Sequence, residues 1–198
     1  MILETLVTTT HPDGSANIAP MGPWIEPDSD LMRFELRPFQ TSSTFGNLQR
    51  TRQGVLHITD DVFLFVQAIV GGWSMVPSLL PARHVDGWII AEACRWVEFE
   101  VVWVDTTQPR ATLQCRGLHS ERRRDFLGFN RAKHAVIEAS ILASRANFLP
   151  ADVLRDRFSE LQTIVAKTGD RREQEAFELL HHFVQSSHSG PNSVEPWE

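Results

Sequence analysis

Tyrosine is absent from the 198 residues, and lysine nearly so: Lys133 and Lys167 stand against seventeen arginines. Without tyrosine no phenol serves as a general acid. The arginine bias is what a GC-rich genome produces and carries no function by itself. Cysteine is scarce: Cys94 and Cys115 have no CxxC partner, so free buried thiols are expected rather than a disulfide. The eight histidines form neither HExxH nor His-x-His, and His181-His182 is expected to be solvated on a late helix. The G-x-G-x-x-G of a dinucleotide-binding domain is missing too. The longest apolar stretches, Val62–Val70 and Trp88–Ala93, fall far short of the ~20 residues that span a bilayer. Nineteen basic against twenty-five acidic side chains leave a net charge of −6, which argues against bulk nucleic-acid binding. Met1–Thr10 reads as a strand rather than a basic-then-apolar leader, so a soluble cytoplasmic protein with no membrane partner is expected.

What is there is ordinary globular material, 42% hydrophobic and 22% charged. A chain of this length removes on the order of 70% of its unfolded surface from water. The first 120 residues read as β with short helices. Leu3–Gly22 is a hairpin around the turn His11-Pro-Asp-Gly14. Leu31–Arg37 alternates, with Met32, Phe34 and Leu36 on one face and Arg33, Glu35 and Arg37 on the other, as a half-buried strand does. Gly54–Thr59 is a further strand, and Asp60-Asp61 caps a short helix through Ala68 that Gly71-Gly72 closes. Trp88–Thr106 is one long strand or a bent pair, with Glu98 and Glu100 on a polar outer face, and Arg110–His119 is another strand. Strands without helix-length crossovers predict an antiparallel β-barrel.

The period changes at Ser120. Asn130–Asn147 has apolar residues at helical spacing, and Leu149-Pro150 starts a second helix with the stripe Leu154, Phe158, Leu161, Val165. Gly169 ends it, and Asp170-x-x-Glu173 is a capping box for a third helix, which buries Ala176, Leu180, Phe183 and Val184. The expected class is therefore α+β: a barrel over 1–120, a three-helix cap over 121–187, and a flexible Ser/Pro-rich tail, loose from Ser186 and free of the cap over 188–198.

Two segments are candidates for chemistry. In Arg37-Pro-Phe-Gln-Thr-Ser-Ser-Thr-Phe-Gly-Asn47, four hydroxyls precede a short helix, and hydroxyls, free N–H groups and the positive end of a helix dipole together suit an anion such as phosphate, with Arg37 adding a bidentate contact. One hydroxyl as an N-cap with the rest as loop is the plainer alternative. In Asn17-Ile-Ala-Pro-Met-Gly22, Pro20 cannot complete a central ladder. The exposed strand edge suits a flat heterocycle with a donor–acceptor edge, or is simply an edge protected by its proline. Arg131 and Lys133 either approach the same anion or are solvated helix charges. The six tryptophans fill cavities or interfaces rather than stack on a ligand.

The order Glu4-Thr-x-Val-Thr-Thr, Asp13-Gly, Asn17-Ile-Ala-Pro-Met-Gly22, Arg37-Pro-x-x-Thr-x-x-Thr-x-x-Asn-Leu48 and Ile58-Thr-Asp-Asp61 resembles the DUF447 family, itself similar to flavin-reductase-like split β-barrels. Phe129-Asn-Arg-Ala132 and Ala135-Val-Ile-Glu-Ala139 resemble that family's helical part, so the likeness runs from about residue 2 to 185. The resemblance implies an FMN-binding split barrel, homodimeric, with Arg37, Thr41, Ser43, Thr44 and Asn47 on the phosphate and Asn17, Ala19 and Met21 along the isoalloxazine or ribityl chain. His57 stands where the resemblance leads one to expect asparagine. The implied activity is an NAD(P)H-dependent oxidoreductase passing electrons through FMN to a small-molecule acceptor, the dinucleotide binding as a passing substrate. A non-catalytic FMN carrier or sensor, or a binding module, is the alternative; a deazaflavin or haem guest is the third.

Overall fold

The computed structural model describes residues 1–26, 30–73 and 76–189. In chain order the elements are β1 (Thr5–Thr10), β2 (Ala16–Met21), β3 (Arg33–Leu36), α1 (Ser43–Thr51), β4 (Gln53–Ile58), α2 (Val62–Val70), β5 (Leu79–Pro81), β6 (Trp88–Ile90), β7 (Arg95–Asp105), β8 (Thr112–Arg122), α3 (Arg131–Ser144), a 3-10 turn (Ala146–Phe148), α4 (Ala151–Thr168) and α5 (Arg171–Ser189). The chain divides into two units, one of residues 1–59 and 76–126 and one of 60–75 and 127 onward.

The first unit is a six-stranded antiparallel sheet in the order β2-β1-β4-β7-β8-β3. Its opening hairpin turns as its residues require: Gly14 takes φ +85°, its N–H donates to the His11 carbonyl at 2.9 Å, and His11 N–H donates to the Ser15 carbonyl at 2.8 Å. Beyond β2, Trp24 exchanges both backbone hydrogen bonds with Glu35 of β3, at 2.8 and 3.0 Å, which joins the two ends of the sheet into a ring. Among the described residues the outer edge of β2 from Ala16 to Met21 pairs with no other strand. The ring is therefore closed at one end and parted at the other. Val7, Met21, Phe34, Leu36, Leu56, Val97, Phe99 and Leu113 fill its interior. Gly54 admits Phe99 there, since a Cβ on residue 54 would lie 2.7 Å from the Phe99 ring.

The expected strand at Trp88–Thr106 is a bent pair: β6 ends at Ile90, β7 starts at Arg95, and β6 pairs with β5 rather than with the large sheet. That small hairpin lies against the outer face of β1, β4 and β7 and is fastened by side chains. Thr8 Oγ1 donates to the Trp88 carbonyl and Thr10 Oγ1 to that of Asp86 at 3.2 Å. Ile90 N–H donates to His57 Nε2 at 3.0 Å, Asp86 N–H to Gln53 Oε1 at 2.9 Å, and Arg83 N–H to Glu98 Oε2 at 3.0 Å. Val85, Ile89, Val55 and Trp96 close the apolar gaps. Glu98, expected on a polar outer face, is thus fully buried. The alternation placed it on the correct side of the strand, but residues 79–90 fold back over that side.

Among the described residues the second unit holds four α-helices and the 3-10 turn: α3, α4 and α5 from the expected cap, with α2 added to them. Residues 60–75, grouped by sequence with the first 120, contribute α2, of which seven of nine residues are buried. A helix apolar nearly all round needs partners on several sides, and Val62, Val66 and Ile69 find them in α3 and α5. Asp61 caps α2 by accepting from Phe63 N–H at 3.1 Å, and Gly71 at φ +71° ends it. Leu154, Phe158, Leu161 and Val165 are all buried on α4. The capping box is realised reciprocally: Arg172 N–H donates to Asp170 Oδ1 and Asp170 N–H to Glu173 Oε2, both at 3.0 Å. Ala176, Leu180 and Val184 are buried on α5 with Phe177, while Phe183 is half-buried. The helix runs three residues past Ser186, where a loose tail was expected, because Ser-Ser-His-Ser carries no breaker before Gly190. The remainder of the expected tail, 190–198, lies outside the described residues.

Candidate functional site

Helix α1 starts where Pro38 and the hydroxyl run predict a cap. Ser42 supplies it: Phe45 N–H donates to Ser42 Oγ at 3.1 Å, and Ser42 Oγ donates to the Phe39 carbonyl at 2.8 Å. The plain capping role therefore falls to one hydroxyl of the four. Thr41 and Ser43 remain exposed beside the first-turn amides of Ser43 and Thr44, which have no intrahelical acceptor. Thr44 and Asn47 point inward and are buried.

These inward residues meet the first hairpin. Asn17 Nδ2 donates to Thr44 Oγ1 at 2.9 Å and to Thr9 Oγ1 at 3.1 Å. Asn47 Nδ2 donates to the same Thr9 oxygen at 3.0 Å and lies 3.4 Å from His11 Nδ1. Arg50, in the last turn of α1, donates to the Thr10 carbonyl. The start of α1 is thereby held to β2 at Asn17. In the hairpin's register, His11 pairs with Ser15 and the ladder bonds fall at Thr9–Asn17, Val7–Ala19 and Thr5–Met21. The backbone groups of Ala16, Ile18 and Pro20 therefore point out of the free edge, and proline, which lacks an N–H, costs the ladder nothing there.

The structure thus brings together Asn17, Thr44 and Asn47, puts Ala19 half-buried on the strand beside them, and puts Thr41 and Ser43 at the helix start. Two expected residues turn their side chains elsewhere. Met21 sends its side chain into the barrel core, and its carbonyl accepts from Thr5 Oγ1 at 2.6 Å. Arg37 donates to Glu35 Oε1 at 2.5 Å, and its guanidinium sits 4.9 Å from the Trp24 ring centroid. As a strand-end residue it shares the face of Glu35, and the nearer carboxylate and indole take it. Sequence reading missed Thr9, His11 and Arg50; the Thr8-Thr9-Thr10 run was the available signal, since three threonines in a fully buried strand need polar partners. Lys133 is not a free helix charge either: its Nζ is 3.8 Å from Asp60, which also accepts from Leu127 N–H at 3.2 Å.

His57 is structural. Fully buried, it accepts from Ile90 N–H and turns Nδ1 toward the Leu6 carbonyl at 3.3 Å. Burial pushes its pKa down to about 3, so the ring is neutral with the proton on Nδ1. Cys115 is also inert, its thiol pKa pushed up by burial.

The N-terminal domain of the protein of unknown function DUF447 matches residues 3–124, and a second DUF447 domain matches residues 130–182. The chain belongs to the DUF447 family. A crystal structure of an FMN-bound DUF447 protein from Methanosarcina mazei superposes with a TM-score of 0.77 at 22% identity, covering 92% of this chain and 94% of that one. The 2-nitrobenzoate 2-nitroreductase NbaA of Pseudomonas fluorescens matches at TM-score 0.53 and 17% identity, over 61% of this chain and 64% of that one. Flavoredoxin from Methanosarcina acetivorans matches at 0.53 and 12%, over 64% and 72%. These likenesses establish a shared fold of antiparallel sheet and helices. Among the described residues no helix is long and apolar enough to cross a membrane.

Proposed function

We propose that this protein binds FMN between the start of α1 and the free edge of β2, and acts as a cytoplasmic NAD(P)H-dependent oxidoreductase toward a small acceptor. The observation that carries the reading is the Asn17–Thr44 hydrogen bond, which holds an anion-suited helix start beside a strand edge with outward N–H and C=O groups. The residues present fit the group. Thr41 and Ser43 hydroxyls and the amides of Ser43 and Thr44 suit a phosphate, and the edge at Ala16, Ile18 and Pro20 suits the donor–acceptor rim of an isoalloxazine. When bound, FMN supplies the hydride and electron chemistry. The chain's part is to orient the cofactor and keep water from its reacting face. The FMN-bound DUF447 relative and the flavoredoxin and nitroreductase of like fold support this reading.

Homodimerisation belongs to the same reading. Trp24 and Trp103 are 45% and 52% exposed and lie in one cross-strand row through Glu35 and Gln114. Large aromatics at such exposure are what homodimer interfaces bury.

The test is titration of the purified protein with FMN, followed by flavin fluorescence, and then anaerobic addition of NADH or NADPH. The pair Thr41→Ala and Ser43→Ala is expected to weaken FMN binding by about 3 kcal/mol, two hydrogen bonds to a charged group. Arg37→Ala, whose guanidinium is engaged by Glu35, is expected to change it by less than about 1 kcal/mol. Bleaching of bound flavin by a pyridine nucleotide supports the oxidoreductase; flavin that stays oxidised identifies a carrier or sensor instead. No binding of FMN sinks both.

A further inference from the structure

Outside this site the most unusual buried group is Glu98. Its side chain is fully buried on β7. Oε2 accepts from Arg83 N–H at 3.0 Å and His84 N–H at 2.5 Å, while Oε1 has no hydrogen-bond partner. Directly opposite on β8 is His119, where a register shift between the Glu98 and Phe99 pairs re-aims the strand. The Nε2 of His119 is likewise buried without a hydrogen bond, the Glu121 carboxylate lying 3.6 Å away. The ring of His84 covers that of His119, with centroids 4.5 Å apart and planes 31° from parallel. The loop that closes the β5–β6 hairpin is thus held at one point by a carboxylate and by a pair of stacked imidazoles.

The charges around this point are few. The strap contributes Arg83, His84 and Asp86. On β8, Glu121 and Arg116 flank His119; on β7, Glu100 follows two residues on and is paired with Arg116. On β4, Val55 lies opposite Glu98, with Gln53 and His57 on either side. Compensation for a cation on either ring comes from the carboxylates of Glu98, Glu121 and Asp86. One imidazolium gains from those carboxylates. A second places two like charges on rings 4.5 Å apart, at an exposed His84 and a half-buried His119, and relieving their repulsion moves His84, with its N–H, away from Glu98.

We propose that His84, His119 and Glu98 form an acid-sensitive fastener that holds the strap of residues 79–90 to the barrel and, through it, sets the affinity of the cofactor site. Histidine is the side chain that ordinarily changes charge between pH 5 and 8. The coupling is direct: the strap's Trp88 Nε1 donates to the Gly14 carbonyl at 3.1 Å, and its Trp88 and Asp86 carbonyls accept from Thr8 and Thr10. Those are the turn and strand of the hairpin whose Thr9 and Asn17 hold Thr44. A loosened strap leaves that hairpin less well ordered. The cofactor half of the proposal rests on FMN binding as read above; the fastener does not.

The test is amide hydrogen exchange by NMR on the whole protein at pH 8 and pH 5, expressed as protection relative to the intrinsic rate at each pH. Protection at Arg83 and His84 is expected to fall by about fivefold on acidification, the scale of a like-charge repulsion at this separation beside water. Val101, whose N–H donates to the Arg52 carbonyl at 2.8 Å outside the strap, is the internal control, and the fall at Arg83 and His84 is read beyond the fall there that the His57 titration brings to the whole fold. His119→Gln removes one of the two cations and abolishes the fall; His84→Gln does the same and serves if the first variant does not fold. FMN affinity is expected to drop severalfold over the same interval in the wild type beyond any drop in the variants, which cancels the titration of the FMN phosphate itself. Protection that is unchanged by pH in the wild type, or that falls equally in both variants, overturns the fastener. A fall in protection with no difference in FMN affinity overturns the coupling. A protein that binds no FMN at either pH refutes the cofactor reading, and the exchange result alone then decides the fastener.

Discussion

His57 offers the sharpest quantitative test of the barrel. Its Nε2 accepts the Ile90 amide and its Nδ1 proton faces the Leu6 carbonyl, so one neutral ring joins β1, β4 and β6. Burial holds its pKa at about 3 against 6.5 for an exposed imidazole. Above pH 6.5 neither the folded nor the unfolded chain is protonated here, and the contribution is complete. Below pH 6.5 the unfolded chain binds a proton that the folded chain does not, and stability falls by about 1.4 kcal/mol per pH unit until the folded pKa is reached. The gap from 6.5 to about 3 removes on the order of 5 kcal/mol, a large share of an ordinary domain's stability. Urea unfolding followed by tryptophan fluorescence from pH 7.5 to 4.5 reads this directly. His57→Gln keeps an acceptor for the Ile90 amide and removes the titration. It is expected to be less stable than the wild type at pH 7.5 by about 1–3 kcal/mol, through a poorer fit to Leu6, and to gain on the wild type by about 2 kcal/mol or more at pH 4.5. A stability difference that stays constant across this range refutes the assignment of His57 as a neutral clamp.

Three further outcomes are expected. Gly54→Ala forces a Cβ to within 2.7 Å of the Phe99 ring and 3.1 Å of the Thr8 carbonyl, and overpacking of that kind costs about 1–3 kcal/mol in urea unfolding; a neutral result means the ring has room to move. Asp170→Ala removes one half of the capping box and should lower the stability of the helical unit by about 1 kcal/mol, seen as a reduced midpoint in circular dichroism. Leu180→Ala, at a fully buried position, should cost about 2–5 kcal/mol by transfer and cavity terms, and a loss below about 1 kcal/mol would show that α5 is not packed as described.

Local chemistry was legible wherever a residue acts on its own neighbours. Asp170 and Glu173 read as a box and form one. Pro-Asp-Gly reads as a turn, with Gly14 at φ +85°. The stripe from Leu154 to Val165 is buried throughout. At the candidate site the same logic located the hydroxyl run and the free strand edge, because a helix start and a proline in a strand declare themselves within a few residues. The directions of the Arg37 and Met21 side chains were not legible, because they depend on what packs next to them. Glu35 and Trp24 take the guanidinium, and strand parity turns Met21 into the barrel. Thr9 and Asn47 were joined only by the crossing of α1 over the first hairpin.

The sequence by itself determined an antiparallel β unit followed by helices, their caps and turns, and the two segments that carry the candidate site, since periodicity and capping are properties of consecutive residues. The tertiary structure alone decided what covers each face. Period-two alternation puts Glu98 and Trp96 on the side of β7 opposite Phe99, yet it contains no record that residues 79–90 return to bury that side with His57, Thr8 and Gln53 as fasteners. It likewise marks α2 as apolar without saying which unit buries it. Burial is set by contacts between residues distant in sequence, and a strand's pattern records its own two faces but not its neighbours.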